Sequence, residues 1–348
     1  MKVRIILENG TEVIGESLEQ VKDVLCELVF NTSMIGYEEV LTDASYKNQG
    51  VVMTYPSIGN YGITEDSKDS EIYLSCIIVN EFARIGSNFR KKQDIIPFLK
   101  ERKINAVHGI DTRMLARILR DSGSMIALIT NEEYSKEEVI EKIQKYKNEK
   151  VKNNITLEKE EVIGNGSINV ALIDFGSKDE IIKSLKQRDC KITVYPSNCK
   201  TLEYKKYDMI VISEGPGNPE EYIEEAKMIK DIYNSGCSVF AVGLGHQLIA
   251  IAAGANTLKL KQGHRGANIP IKDIENEKTY SVAQNHGYIV IEGTVEKFAD
   301  VIYRNVNDKS VEGLKYKGKN IVTLQFNPDS SSDTEFIIDN FIGGLKNA

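Results

Sequence analysis

The chain has 348 residues, enough for two domains with good cores. It is 41% hydrophobic and 27% charged, an ordinary globular balance, and its formal net charge of −7 gives no nucleic-acid or membrane footprint. No apolar run is long enough for a membrane span, and the five cysteines (Cys26, Cys76, Cys190, Cys199, Cys237) lack paired spacing and read as reduced thiols.

The opening MKVRIILENGTEVIG has no apolar core of signal-peptide length, so a cytoplasmic chain is expected. The same stretch reads as a hairpin turning at Asn9-Gly10. VVMTYPSIGNYG reads as a strand running into a Pro- and Gly-marked loop. Helices are expected near 92–102 and from Thr112 to Asp121. In the second, Asp111 caps the start and Met114, Leu115, Ile118 and Leu119 form one apolar stripe. Residues 132–166 are charge-dense, and predict a solvated surface helix followed by a linker.

From Ser167 the pattern changes. INVALIDFG is a near-continuous apolar run, as in a strand covered on both faces. A helix (Lys178 to Arg188), strand KITVYP, strand DMIVISEGPGNP, a helix to about Tyr233 and strand SVFAV follow. This alternation implies a doubly wound, mostly parallel sheet. The expected class is α/β, with a small strand-rich α+β domain at 1–147, a linker at 148–166 and the doubly wound domain at 167–348.

Residues 238–254 read SVFAVGLGHQLIAIAAG. An apolar strand runs into Gly243-Leu244-Gly245, and a helix is expected to open at His246. A tight strand-to-helix turn of this kind presents one side chain at the mouth of a parallel sheet. Here that position is Gly243, which has none.

Other segments stand out in order: FNTSMIGYEEVLTDASY (30–46), TYPSIGNYG (54–62), SNFR (87–90) and GIDTR (109–113) in the first domain; DFGSK (174–178), EGPGNPEE (214–221), GLGHQLIAIAAGA (243–255), LKQGHRGANIPIKD (260–273) and QNHGY (284–288) in the second. Together they resemble the small, glutamine-handling subunit of carbamoyl phosphate synthetase over nearly the whole chain. The resemblance implies an N-terminal small-subunit domain followed by a flavodoxin-like class I glutamine amidotransferase domain. It further implies hydrolysis of glutamine by a cysteine, with a histidine base oriented by a glutamate, and delivery of ammonia to a large ATP-grasp subunit. ATP and Mg are expected on that partner. No cofactor and no metal are expected on this chain, and neither nucleic acid nor membrane is an expected partner.

This sequence departs from the family at all three triad positions. The cysteine position is Gly243, and His-Pro-Glu appears as Asn327-Pro328-Asp329. A neutral asparagine amide is no general base near neutral pH. Losing the nucleophile alone costs about 10⁶-fold in a triad that acts as a unit. Cys237 lies six residues before Gly243, roughly 20 Å along an extended strand, so it reads as a small buried hydrophobe. His246, His264 and His286 match family positions other than the base, and His108 lies in the first domain; structural roles are expected for all four.

The resemblance places glutamine contacts on Ser45, Gly215, Gly217, Leu244, Gln247, Asn285, Gly287 and Tyr288. Glu214 stands where the family has asparagine, and is expected either to disfavour the ligand carboxylate or to point into water. The leading expectation is a glutaminase-defective small subunit whose large subunit makes carbamoyl phosphate from ATP, bicarbonate and ammonia, for arginine or pyrimidine synthesis. The alternatives are an active subunit with a rearranged site and a repurposed amino-acid-binding module.

Overall fold

A continuous run of apolar residues along a strand needs cover on both faces, and the elbow strand Ser238–Val242 is a clear instance. Val239 and Ala241 face one core, while Phe240 and Val242 face the other, all with no exposed surface. In a computed structural model that describes residues 1–67, 70–148, 159–177, 179–199 and 202–345, backbone contacts divide the chain into units Met1–Asn153 and Asn154–Ala348.

In the second unit, five strands run parallel in the order Cys190–Pro196, Ile168–Asp174, Met209–Ile212, Ser238–Val242, Ile321–Leu324. The helices Ala226–Asn234 and Leu244–Ala253 belong with one face. Asp179–Gln187 and Phe336–Leu345 cover the other. Beyond Ile321–Leu324 the sheet continues antiparallel through Val311–Tyr316, Ala299–Asn305, Thr257–Asp273 and Thr279–Val290. Residues of this antiparallel half enter both cores: Val290, Val311, Leu314 and Tyr316 one, Ile271, Val282 and Tyr303 the other.

Residues 149–158, most of the expected linker, lie outside the described residues, as does Lys178, the expected first residue of its helix. Glu161–Ile163, read from sequence as linker, forms an antiparallel edge strand on Cys190–Pro196. Three residues are too few for a periodic signal, and only the pairing reveals them.

The first unit closes seven strands into a barrel: Lys2–Leu7, Met125–Thr130, Val24–Asn31, Gln49–Met53, Cys76–Ile78, Ala106–His108, Glu12–Ser17. The hairpin at Asn9-Gly10 forms, with Gly10 at φ 84° and Asn9 Oδ1 accepting from Thr11 N at 2.9 Å. The two expected helices span Ile95–Glu101 and Thr112–Ser122, and Asp111 accepts from Met114 N. Leu115 and Leu119 fill the barrel core, with Ile118 packed against it, while Met114 is 39% exposed. The charge-dense segment carries the helix Lys136–Asn148, which buries only Val139 and Ile143. Among the described residues no helix is long and apolar enough to cross a membrane.

Candidate functional site

The elbow is built at the carboxyl ends of three neighbouring strands. Gly243 N donates to Leu324 O at 2.9 Å, and Gly245 N donates to Ser213 O at 3.1 Å. The turn is therefore tied to the strand on either side. Gly243 sits at φ 54°, ψ −113°, a region that only glycine occupies without strain. The helix opens at Leu244, two residues earlier than the sequence suggested. The positive φ at Gly243 reverses the chain in one step, and Leu244 seats in the core, 3% exposed.

A Cβ at Gly243 would lie 2.8 Å from Glu214 Cβ and 3.2 Å from Glu214 Cα. The nucleophile position is thus empty of side chain and also pressed by its neighbour. Glu214 is 6% exposed, so the alternative of a surface carboxylate pointing into water is not what the fold provides. Ser213 braces this corner, its hydroxyl accepting from Phe175 N at 2.9 Å and donating to Glu214 O at 2.8 Å.

The other two positions that the resemblance assigns to the triad follow the neighbouring strand. Val242 pairs with Leu324, so Asn327 arises three residues beyond the partner of the elbow's last strand residue. Asn327 Oδ1 accepts from Asp329 N at 3.0 Å and caps the turn Pro328–Ser330. Asp329 Oδ1 accepts from Ser184 Oγ at 2.8 Å and lies 3.7 Å from Arg188 Nη1. Burial pushes its carboxyl up from the ordinary aspartate range, against the hydrogen bond from Ser184 and the charge of Arg188. Ser184 and Arg188 belong to a helix and segment distant in sequence, and no local signal joins them to Asp329.

Of the positions assigned by resemblance, several meet in the second unit. A Cβ on Gly215 would fall 2.6 Å from Phe175 O and 2.9 Å from Leu244 Cδ2, so only glycine fits between them. Gly217 has φ 87°. Gln247 Nε2 donates to Tyr288 O at 2.8 Å and to Gln325 Oε1 at 3.0 Å, linking the elbow helix to the segment that carries Asn285, Gly287 and Tyr288. Ser45 lies in the first unit, on the turn Ala44–Tyr46, where its N–H donates to Asp43 Oδ1 at 2.9 Å.

The histidines occupy structural surroundings. His246 is wholly buried, its Nδ1 2.7 Å from Thr323 Oγ1, and burial holds its pKa down at about 3. His108 ends a barrel strand and meets Phe82 edge-on. Cys237 precedes the elbow strand at the end away from Gly243, half-buried, its thiol 3.7 Å from Tyr204 O. Cys26 and Cys76 are buried in the barrel, and burial pushes the Cys26 thiol up to about 12.

Comparison with known proteins agrees with this architecture. A family model described as carbamoyl-phosphate synthase small chain, CPSase domain, matches residues 5–129. A second, glutamine amidotransferase class-I, matches residues 171–343. The chain is 40% identical to the carbamoyl phosphate synthase small chain of Clostridium perfringens, covering 98% of this chain and 99% of that protein. It is 38% identical to the carbamoyl phosphate synthase small chain of Oceanobacillus iheyensis, covering 99% of this chain and 96% of that protein. A solved structure of a glutamine amidotransferase from Thermotoga maritima aligns at 16% identity and a TM-score of 0.41, over 53% of this chain and 86% of that one.

Two outcomes follow from the elbow. Gly243→Cys is expected to destabilise the second unit by about 1–3 kcal/mol, from positive φ and the Glu214 contact together. Adding Glu214→Gly should return part of that loss, with a coupling of about 0.5–3 kcal/mol in a double-mutant denaturation cycle; strict additivity would dismiss the contact as a cause. His246 supplies the second. The unfolded chain takes up a proton near pH 6.5, which the folded chain refuses until about pH 3. Stability is therefore expected to fall as pH drops through this window, at up to about 1.4 kcal/mol per pH unit. Urea melts of His246→Asn should show a flatter pH dependence; an unchanged slope would assign the proton elsewhere.

Proposed function

Because the chain belongs to the carbamoyl-phosphate synthase small-chain family, we propose that it is the non-hydrolysing small subunit of a carbamoyl phosphate synthetase. The observation that carries this reading is the elbow itself: Gly243 offers no nucleophile, and Glu214 Cβ stands 2.8 Å from where its Cβ would be. A thiolate attack on the glutamine amide needs both the sulfur and a base to take its proton. Asn327 supplies a neutral amide already engaged in capping. Asp329, bonded to Ser184, has no imidazole to orient. Of the five thiols, Cys237 is nearest in sequence and lies at the far end of the strand.

In this reading the chemistry belongs to a large ATP-grasp partner, which would bind ATP and Mg and combine bicarbonate with free ammonia. The small subunit would support that partner in the cytoplasm, and the product would serve arginine or pyrimidine synthesis. Glutamine is, by resemblance, the candidate ligand of Gly215, Gly217, Leu244, Gln247, Asn285, Gly287 and Tyr288 in the second unit. Glu214 weighs against it, because a buried carboxylate beside Gly215 repels the ligand's own carboxylate.

The decisive experiment reconstitutes this chain with its large subunit, ATP and bicarbonate. Carbamoyl phosphate is expected with ammonium and to be lower by about 10⁶-fold with glutamine as sole nitrogen source; robust glutamine-dependent synthesis would overturn the reading. Calorimetry provides a second check. Glu214→Asn should bind glutamine more tightly than the wild type, and equal affinities would remove the charge argument.

A further inference from the structure

Three strands of the antiparallel half bring His264, His286 and Glu312 together, with their candidate ligand atoms all within 4.8 Å of one another. His264 and His286 are direct cross-strand partners, in a stretch where the pairing is irregular on both sides. Their rings meet edge-on, with centroids 4.9 Å apart. His264 Nδ1 is 3.3 Å from His286 Nε2 and 3.4 Å from Glu312 Oε1. A tetrahedral ion with bonds of about 2.0–2.1 Å has ligand-to-ligand edges of about 3.3–3.4 Å, which the two edges at His264 Nδ1 match, while the edge from His286 to Glu312 lies within 4.8 Å.

The hydrogen bonds fix how each ring is used. His286 Nδ1 lies 3.0 Å from Tyr288 O, which can only accept. That nitrogen therefore carries the proton, and Nε2 presents a lone pair. His264 Nε2 lies 2.9 Å from Asp308 Oδ2, and in the neutral tautomer that donates there the lone pair of Nδ1 turns toward His286. Asp308 is held in turn by Ser310, through its N–H at 3.0 Å and its hydroxyl at 2.7 Å. An acceptor on the far nitrogen of each imidazole is the outer arrangement that orients metal-bound histidines.

The remaining neighbours sharpen the point. Gln284 Nε2 donates to Glu312 Oε2 at 2.8 Å, which leaves Gln284 Oε1 3.2 Å from His286 Nε2. Among the described residues, His286 Nε2 thus faces two acceptors, Gln284 Oε1 and His264 Nδ1. The Asn305 amide, 3.2 Å from Glu312 Oε1 and 3.4 Å from His264 Nδ1, offers hydrogens to both, and the Ser310 hydroxyl, 3.4 Å from Glu312 Oε1, offers one to the carboxylate. Against the effect of burial, Glu312 and Asp308 hold the His264 imidazole above its ordinary pKa, so the positive charge that this buried carboxylate calls for is either a proton on His264 or a bound cation.

We propose that His264 Nδ1, His286 Nε2 and Glu312 Oε1 bind a divalent first-row transition cation of the zinc class, with Gln284 Oε1 or water at the fourth corner. Two imidazoles and one carboxylate suit zinc and its neighbours, whereas magnesium and calcium take all-oxygen sets. The ion's role is structural: it clamps the strands Thr257–Asp273, Thr279–Val290 and Val311–Tyr316, and fixes the backbone on either side of His286. The site is independent of whether glutamine is bound or hydrolysed.

The test uses the full-length chain stripped with a chelator, titrated with Zn²⁺ by calorimetry and with Co²⁺ by visible absorption. One ion per chain is expected, with the intense bands of tetrahedral Co²⁺. Asp308→Asn should weaken zinc by about 10–100-fold, and Glu312→Gln should abolish the tetrahedral bands. Circular dichroism checks that each variant folds; if Glu312→Gln does not, the wild-type titration and Asp308→Asn still decide. Absence of saturable binding to the wild type would overturn the site, as would equal affinity in wild type and His286→Ala. Nitrogen-15 NMR showing a His264 imidazolium unaffected by added zinc would likewise overturn it, by assigning the positive centre to a proton.

Discussion

One backbone conformation governs the second unit: the left-handed turn at Gly243. It must join a buried parallel strand to a buried helix within a single residue, and hydrogen bonds to Leu324 O and Ser213 O tie it to both flanking strand ends. A residue with a side chain would have to be paid for in strain at this φ and ψ, a cost that catalytic elbows carry because the side chain does chemistry. Glycine removes the cost and lets the Ser213-Glu214 corner settle close against the turn. At Gly243 the elbow acts as a backbone joint, with Glu214 Cβ 2.8 Å from where a Cβ would stand.

The same logic explains the fate of the other two triad positions. Asn327 and Asp329 carry polar groups that are partly shielded from water, and each finds a partner on one atom. The amide caps a turn, and the carboxylate takes a hydroxyl from Ser184 near the guanidinium of Arg188. The Asp329 carboxylate fastens the turn Pro328–Ser330 to the helix Asp179–Gln187.

Much of this was legible in the sequence, for identifiable reasons. The alternation of INVALIDFG, KITVYP and DMIVIS with amphipathic stretches gave the parallel core, because both-face burial leaves short continuous apolar runs whose length and spacing mark them as strands. Asp111 and Asn9-Gly10 were readable because capping and tight turns depend on one or two adjacent residues. The elbow was readable down to the missing side chain, although the helix began two residues early, since sequence marks a glycine and leaves its φ open. Barrel closure, the edge strand Glu161–Ile163 and the contact between positions 243 and 214 were not readable. Each depends on residues far apart in the chain, as does the meeting of His264, His286 and Glu312, which the sequence pattern assigned no metal.

The barrel carries a consequence for how the chain is made. Its first strand pairs on one side with Glu12–Ser17, available as soon as the hairpin emerges, and on the other with Met125–Thr130, in a register that sets Arg4 opposite Thr130. The ring of hydrogen bonds therefore stays open at the ribosome until nearly the whole unit has been synthesised. Until that moment one edge of Lys2–Leu7 is exposed to any other extended segment. Closure of this seam is a non-local step, of the kind that sets folding rate through topology. The interval before it is when the nascent chain is most exposed to pairing with the wrong strand.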